Sequence, residues 1–397
     1  MPGPLEGVKI LDLSWILSGP FCTMTLSDLG AEVVKVERPG WGDTARGNGP
    51  FLKDESSYFL SINRGKKSIT LNLKNEEAKQ LFLRLVEQAD VVVENFTPGT
   101  MAKMGLGYDI LSSVNPRIIL ASISGFGQTG PYANRPALDV VVQAMGGIMS
   151  ITGEPGRPPV RPGVSYGDIA AGLYCAVAIL SALHEREKSA KGQAIDISML
   201  DCQVAVEENA FARYFATGEV PGPLGTRHPV FTPFQAFETK DGYIVVAMVG
   251  GERNQWALFC ATLGLLDLID DERYKDGWSR TQHYAQLEPV LAAAMRTRTT
   301  QEWLKELSAV EIPCGPVNNI AQVAADPQIR RRKMIVEVSH PRLKKHKVTN
   351  TPVRLSRTPP KITKSAPDLG QDTEAVLKSW LKLGAKEIAR LKASKAI

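Results

Sequence analysis

Val8-Lys9-Ile10-Leu11-Asp12-Leu13, then Ser18-Gly19-Pro20, then Ala31-Glu32-Val33-Val34-Lys35-Val36-Glu37: this stretch decides the fold. The two β-branched runs read as strands. The segment between them reads as a helix, because Pro20 suits a first helical turn and Gly30 stops the helix after Leu29. Strand, helix and strand within ~30 residues make a βαβ unit, which implies a parallel sheet with a right-handed crossover. Further strands are expected at 91–95, 118–122 and 194–198, with a helix over 76–88. The β-branched runs read as buried on both faces, as in a doubly wound sheet. The fold class is therefore α/β.

Further along, residues 168–188 form a long helix rich in Ala, Leu and Ile, and 200–217 also reads as helical. Residues 218–233 are a Gly/Pro-rich connection. Lys240-Asp241-Gly242 separates two apolar runs, 234–239 and 243–249, and signals a hairpin. Helices at 255–263 and 300–309 complete a smaller α+β domain. The block Arg330-Arg331-Arg332-Lys333 marks a boundary and reads as a solvated helix surface. Residues 373–393 read as an amphipathic helix. The domains are expected at 1–205 and 225–325, with a linker at 206–224 and a C-terminal segment over 326–397.

With 397 residues, 43% of them hydrophobic and 22% charged, the chain has enough apolar material for more than one globular core. A net charge of +5 and a pI of 8.8 are mildly basic for this length and suit an anionic small molecule. No interleaved aromatic and basic motif is present, so no nucleic-acid partner is expected. No run of ~18 residues lacks a charge, so no membrane span is expected. Met1-Pro2-Gly3-Pro4-Leu5-Glu6 lacks the features of a secretory signal. Five scattered cysteines fit reduced, buried thiols in a cytoplasmic protein. Five histidines without HxxxH or HExxH spacing predict no metal site.

The first strand-to-helix turn, Ser18-Gly19-Pro20-Phe21-Cys22-Thr23, has a single glycine in place of GxGxxG, and GxxxxGK[ST] is absent, which argues against a dinucleotide or a nucleoside triphosphate there. The helix start at Gly19 is still suited to an anion. Arg38, ending the second strand, either forks onto a phosphate or pairs with Glu37 on the surface. Asn95 ends a buried strand, where it serves either a ligand or a turn backbone. The glycines of residues 124–131 suggest either a loop needing positive φ or close backbone approach, or a plain connecting loop. Asp168 is read as a helix N-cap, kept ionised by the helix dipole and free N–H groups. That state serves structure and a carboxylate nucleophile equally.

Together the stretches 8–20, 30–47, 93–107, 122–131, 163–192, 193–201, 225–237 and 312–319 resemble the class III CoA-transferase family. The likeness is nearest the succinyl-CoA:dicarboxylate type, through Gly125-Phe126-Gly127-Gln128-Thr129-Gly130-Pro131 and Arg161-Pro162-Gly163-Val164. The resemblance implies a Rossmann-like large domain, to which the C-terminal segment returns, plus a smaller α+β domain. It also implies an interlocked, ring-like homodimer. Asp168 matches the nucleophilic aspartate, passing through an aspartyl anhydride and an aspartyl-CoA thioester. Leu17, Ser18, Arg38, Leu71, Asn72, Asn95, Phe96, Lys103 and Met199 match CoA-contacting positions. Coenzyme A is then a substrate, as acyl-CoA, and no tightly bound cofactor is implied. Gly250-Gly251 is the candidate oxyanion loop. Arg46, Arg161 and Arg227 are candidates for a distal carboxylate, and His228 for a place near the site.

Two positions depart from parts of the family. Leu138 stands where many transferases carry tyrosine, and Leu17 where the formyl-CoA enzymes carry glutamine; both argue against an oxalate/formate pair. Leu138 also argues against the racemases of the superfamily, which place a histidine there as one of two bases. A racemase or isomerase, and a non-catalytic CoA-binding subunit, are the alternatives. The latter is opposed by the presence of Asp168.

Overall fold

Six parallel strands build the main sheet: β1 (Lys9–Asp12), β2 (Glu32–Glu37), β3 (Lys67–Thr70), β4 (Val91–Glu94), β5 (Ile119–Ser124) and β6 (Ala194–Ser198). The computed structural model describes residues 3–249 and 255–397. The spatial order is β3-β2-β1-β4-β5-β6, and every neighbouring pair is parallel. The winding reverses between β1 and β4. This leaves a crevice beyond their carboxyl ends, where open α/β sheets take ligands.

Over β1, β2, β4 and β5 both faces are buried, as their apolar runs require, whereas the edge strand β6 alternates and leaves Ala194 and Asp196 exposed. Leu11, Val34 and Val92 face one core, with Leu81, Phe82 and Leu85 of α2 (Glu76–Val86). Ile10, Val33 and Val93 face the other, with Cys22 and Leu26 of α1 (Ser18–Asp28). On this side lie α3 (Asp139–Gly146), α4 (Tyr166–Ser189) and α5 (Met199–Val206), contributing Val142, Ile179 and Cys202. By length and composition α4 is apolar enough to cross a membrane. In the fold, Ala171, Cys175 and Ile179 bury one side of it.

Strand β3 escapes the sequence pattern because Lys67, Ser68 and Thr70 look polar. The C-terminal segment covers this edge strand, the usual protection for unpaired edges. The Ser68 amide donates to Asp372 Oδ2 (2.9 Å) and the Thr70 amide to Thr373 Oγ1 (3.1 Å). The expected single helix over 373–393 is two helices, α6 (Thr373–Leu381) and α7 (Ala385–Ala393). Lys382 breaks them apart with φ 55°, and Trp380, Ile388 and Leu391 then reach the α2 core.

The chain divides into two compact units. The first holds Met1–Ile148, Arg161–Phe215 and Gln328–Ile397; the second holds Met149–Val160 and Ala216–Pro327. Residues 149–160 lie inside the range read from sequence as the large domain, yet they group with the second unit. There the Gly225 amide donates to the Gly153 carbonyl at 2.8 Å. The second unit has an antiparallel sheet of β7 (Phe234–Glu238), β8 (Tyr243–Ala247) and β9 (Cys314–Pro316), with β8 central. At the β7–β8 turn, Asp241 Oδ1 accepts the Thr300 amide (2.7 Å) and so ties the hairpin to the helix Thr300–Ala309. The helix Tyr284–Met295 carries Pro289, a local argument against helix that burial of Leu287, Leu291 and Met295 overrides.

Candidate active site

The turn from β1 into α1 rests on a buried charge network. Asp12, at the end of β1, is fully buried. It accepts the Ser14 amide (3.0 Å), the Thr23 hydroxyl (2.7 Å) and the Lys66 ammonium (2.9 Å). Burial alone would raise its pKa, but Lys35, Lys66 and the Ser14 hydroxyl together hold it well below the ordinary carboxylate range. Lys35 bridges from Asp43 (3.0 Å) to the Ser14 carbonyl (2.5 Å). On this base the chain makes a strained step, since Ile16 sits at φ 64°. That region is an outlier for a β-branched residue and persists only where its surroundings over-determine it.

Two side chains supply that determination. Asp43 Oδ1 accepts the Ile16 amide (3.0 Å). Asn95 clamps Trp15 from both sides, accepting its amide (2.9 Å) and donating to its carbonyl (2.8 Å). Asn95 Nδ2 also donates to Ser18 Oγ (3.2 Å). Asn95 thus satisfies turn backbone and, by the same bonds, positions Ser18. Gly19 has no room for a side chain, because a Cβ there would lie 2.2 Å from Ser14 Cβ. Gly172 has none either, since its Cβ would meet the Ser18 carbonyl oxygen at 2.7 Å. That close approach brings the start of α4 to the start of α1.

Asp168 is not an N-cap. Helix α4 begins at Tyr166, so Asp168 lies in its first turn, and the N-cap residue Ser165 makes no side-chain cap. The cap comes from α3: Asp139 Oδ1 accepts the amides of Gly167 (3.0 Å) and Asp168 (3.4 Å). Asp139 Oδ2 takes Gln143 Nε2 (2.7 Å) and Arg161 (3.0 Å). The Asp168 carboxyl is not held low, as the dipole argument predicted. Burial, and then the Asp139 charge, push its pKa up to about 6, against the Ser18 hydroxyl and amide and Arg161, which favour the anion. The nucleophilic anion therefore grows as pH rises through about 6.

This arrangement makes a prediction for Asp139→Asn. The amide oxygen still accepts the Gly167 N–H, but one negative charge leaves and Arg161 loses its counter-ion. Both changes favour ionised Asp168. The acid limb of the pH–kcat/KM profile should move to lower pH; an unmoved limb would refute the electrostatic role of Asp139.

Two cavities of the first unit adjoin this turn. Asp168, Ser18, Asn95, Phe96 and Met199 line one of about 170 Å³. Arg38, Leu71, Asn72 and Phe96 line another of about 290 Å³. Trp15 and Phe96 line both and meet edge to face at 5.9 Å. The Phe96 amide is tied to Glu94 Oε2 at 2.6 Å. Leu17 is buried as the N-cap residue of α1 and lines neither cavity. Exposed Lys103 lines neither, although its neighbour Met104 lines the second.

The substrate candidates scatter. Arg46 is a structural ion pair: it forks onto Glu37 (2.8 and 2.7 Å), donates to the Pro367 carbonyl (3.1 Å) and covers Phe59. Arg161 is not in the lining of either cavity and is paired with Asp139 and Ser165. Arg227 and His228 belong to the second unit. Arg227 lies over the Tyr284 ring at 4.1 Å. His228 Nδ1 accepts the amides of Val230 (3.1 Å) and Phe231 (3.2 Å), a turn-stabilising role. Gly250 and Gly251 lie outside the described residues.

Sequence reasoning missed Trp15, Asp139, Ser124 and Arg135 at the first cavity, and Trp41 and Lys74 at the second. Trp15 was legible only as a residue just beyond a strand end, and Lys74, after the unrecognised strand β3, not even as that. One group of possible metal ligands, Glu55, His340 and Asp368, exists among the described residues. Arg342 pairs with both of its carboxylates and His340 Nδ1 accepts the Arg342 amide (3.2 Å), while His340 Nε2 is buried without a hydrogen-bond partner among the described residues.

A family model described as CoA-transferase family III matches residues 5–373. The chain is 42% identical to the succinyl-CoA:glutarate CoA-transferase of Homo sapiens, over 98% of this chain and 88% of that protein. It is 39% identical to the succinyl-CoA:mesaconate CoA-transferase of Haloarcula marismortui, over 94% and 96%. A crystal structure of a CAIB/BAIF family protein from Brucella suis superposes with a TM-score of 0.85 at 39% identity, covering 96% of this chain and all of that one. The main sheet, the Asp168 cavity and these matches agree, and the chain belongs to CoA-transferase family III.

Proposed function

We propose that this CoA-transferase moves CoA from succinyl-CoA to a dicarboxylic acid, with Asp168 as nucleophile. The observation that carries the reading is the half-buried Asp168 carboxylate at a cavity wall, held by Ser18 at the N-terminus of a long helix. Relatives named for succinyl-CoA with glutarate and with mesaconate support the substrate class. In the first step an Asp168 oxygen attacks the thioester carbonyl, giving a mixed anhydride and CoA thiolate. The thiolate then attacks the aspartyl carbonyl, forming an aspartyl-CoA thioester and releasing succinate. An incoming carboxylate attacks that thioester, re-forming an anhydride and expelling thiolate. Finally the thiolate takes the new acyl group and frees Asp168. Each step keeps one activated acyl bond, so water must be kept out.

CoA is a polyanion, and its adenine and phosphate end is assigned to the larger cavity. Arg38 meets phosphate, with Lys103 beside the site. Ser18, Leu71 and Asn72 supply backbone and amide contacts, while Leu17, which lines neither cavity, and Asn95, whose amide holds Trp15 and Ser18, shape the turn behind them. Phe96 and Met199 flank the path toward Asp168. An interlocked homodimer is part of the same proposal. It is supported by exposed apolar side chains on neighbouring helices: Val140, Val141 and Met145 of α3, and Leu173, Tyr174 and Val177 of α4. A cytoplasmic location fits five free cysteines, four of them buried.

The test is a transfer assay. Purified protein is mixed with succinyl-CoA and glutarate, mesaconate, malate, citramalate, oxalate or acetate, and new thioesters are read by mass spectrometry. A new dicarboxyl-CoA is expected; formation of acetyl-CoA alone would overturn the substrate class. Light scattering on the same sample should give twice the 43.3 kDa chain mass, and a monomer would refute the dimer.

A further inference from the structure

We propose that Arg135 reads the distal carboxylate of the acyl group and so selects dicarboxylic over monocarboxylic acids. The inference rests on the transferase reading above and names the side chain that recognises the far end of the substrate. Each arginine suggested by sequence has another engagement in the fold: Arg46 with Glu37, Arg161 with Asp139, and Arg227 with Tyr284 in the second unit. Arg135 was not among them. It lines the same cavity as Asp168 and is the one basic residue in that lining.

The Arg135 guanidinium is supported by rings and carries no carboxylate. It lies 4.7 Å from the Tyr132 ring centre and 5.7 Å from that of Phe126. The two rings brace one another edge to face at 5.7 Å. Stacking occupies the flat face of the cation and leaves its N–H fork for a planar, bidentate acceptor. Other arginines of this unit, among them Arg46, Arg64, Arg161 and Arg186, are in ion pairs, whereas Arg135 enters none among the described residues.

One further observation points to an anionic ligand group here. Ser124 is one of the residues lining the same cavity, and its buried Oγ has no hydrogen-bond partner among the described residues. A buried hydroxyl without a partner calls for one, and a carboxylate oxygen would accept from it. The cavity also carries the charge of Asp168 and of Asp139. Asp139 is matched by Arg161, but an acyl group bringing its own carboxylate beside Asp168 would meet like charge. Arg135 offsets that repulsion, while Trp15, Leu138 and Met199 give the methylene chain an apolar wall.

The experiment compares glutarate with its monomethyl ester as acceptors from succinyl-CoA, in wild type, Arg135→Gln and Arg135→Lys. The ester keeps the reacting carboxylate and the chain but loses the distal charge. Wild type should prefer glutarate. Arg135→Gln should cut the kcat/KM ratio of glutarate to ester about 10–100-fold, chiefly through the glutarate KM. Arg135→Lys should restore part of it. CoA affinity, measured by calorimetry, should stay unchanged in both variants. An unchanged ratio would overturn the proposal. So would equal losses on both acceptors with weakened CoA binding, which would place Arg135 at a CoA phosphate. If wild type transfers to neither acceptor and hydroxylamine fails to trap an Asp168 acyl group, the transferase reading fails too.

Discussion

Asp168→Ala is expected to abolish transfer between every acyl-CoA and every acid, lowering kcat by about 10⁴-fold or more, as removal of a covalent nucleophile does. Alanine cannot form the anhydride, and no other carboxylate is placed to replace it: Asp139 is committed to the Gly167 amide, Gln143 and Arg161. The fold should survive, because α4 is capped by Asp139 rather than by Asp168. Removing a half-buried acid whose pKa burial has raised to about 6 also takes away a group that opposes folding when ionised. The sign follows from that shift. The unfolded carboxyl ionises near 3.8 and the folded one near 6, so between those values the native state binds the extra proton and this group's contribution falls as pH rises. Thermal melts at pH 7 should therefore show the variant equal to or more stable than wild type. Mass spectrometry with hydroxylamine trapping is the check on the chemistry. Residual turnover within 100-fold of wild type would move the nucleophile elsewhere.

The second large effect is on stability. Asp12→Ala should destabilise the protein by about 3–5 kcal/mol, the usual result of leaving a buried partner charge unmatched. Lys66 would keep only the Asn63 side chain (2.7 Å) and the Pro20 carbonyl (3.0 Å), with no carboxylate in contact. Burial already depresses the Lys66 pKa to about 8, even with Asp12 beside it. Without Asp12 it should fall further, so that part of the penalty is relieved by loss of the proton. A base whose folded pKa is depressed opposes folding most below that pKa, and the opposition fades as pH rises toward 10.5. The deficit of Asp12→Ala should accordingly narrow as pH rises to about 8, above which Lys66 loses its proton in wild type as well. Denaturant titrations at pH 7 and pH 9 measure it, and a deficit under 1 kcal/mol at pH 7 would mean the network is not a stability element. The same variant should weaken CoA binding, because Ser14 and the strained Ile16 turn rest on Asp12 and Lys35.

Much of the fold was readable because it follows from local pattern. The first βαβ unit is a repetition of apolar runs with Pro20 and Gly30 at the helix ends, and such runs stay buried in almost any packing. The β7–β8 hairpin was legible in Asp241-Gly242 for a similar reason. Strand β3 was not, because its side chains are polar and its order comes from β2 and from the C-terminal Asp372 and Thr373, some 300 residues away. The break at Lys382 was equally hidden, since nothing in Leu381-Lys382-Leu383 forbids a helix and only the fit of Trp380 and Ile388 to one core requires two.

At the site the division is sharper. The sequence by itself marked Asp168, Ser18 and Asn95, since each stands where a strand or helix ends and carries a group suited to an anion or to acyl chemistry. Their family likeness named the chemistry. Only the tertiary structure decided what those groups do to one another. Asp139 caps the helix that carries Asp168 and raises its pKa, because α3 and α4 meet there. Among the arginines, charge was legible but engagement was not: Arg46 and Arg161 meet carboxylates brought by other elements, while Arg135 is left facing the cavity. A pKa and a free guanidinium are sums over neighbours in space, and the order of residues along a chain does not contain that sum until the chain has folded.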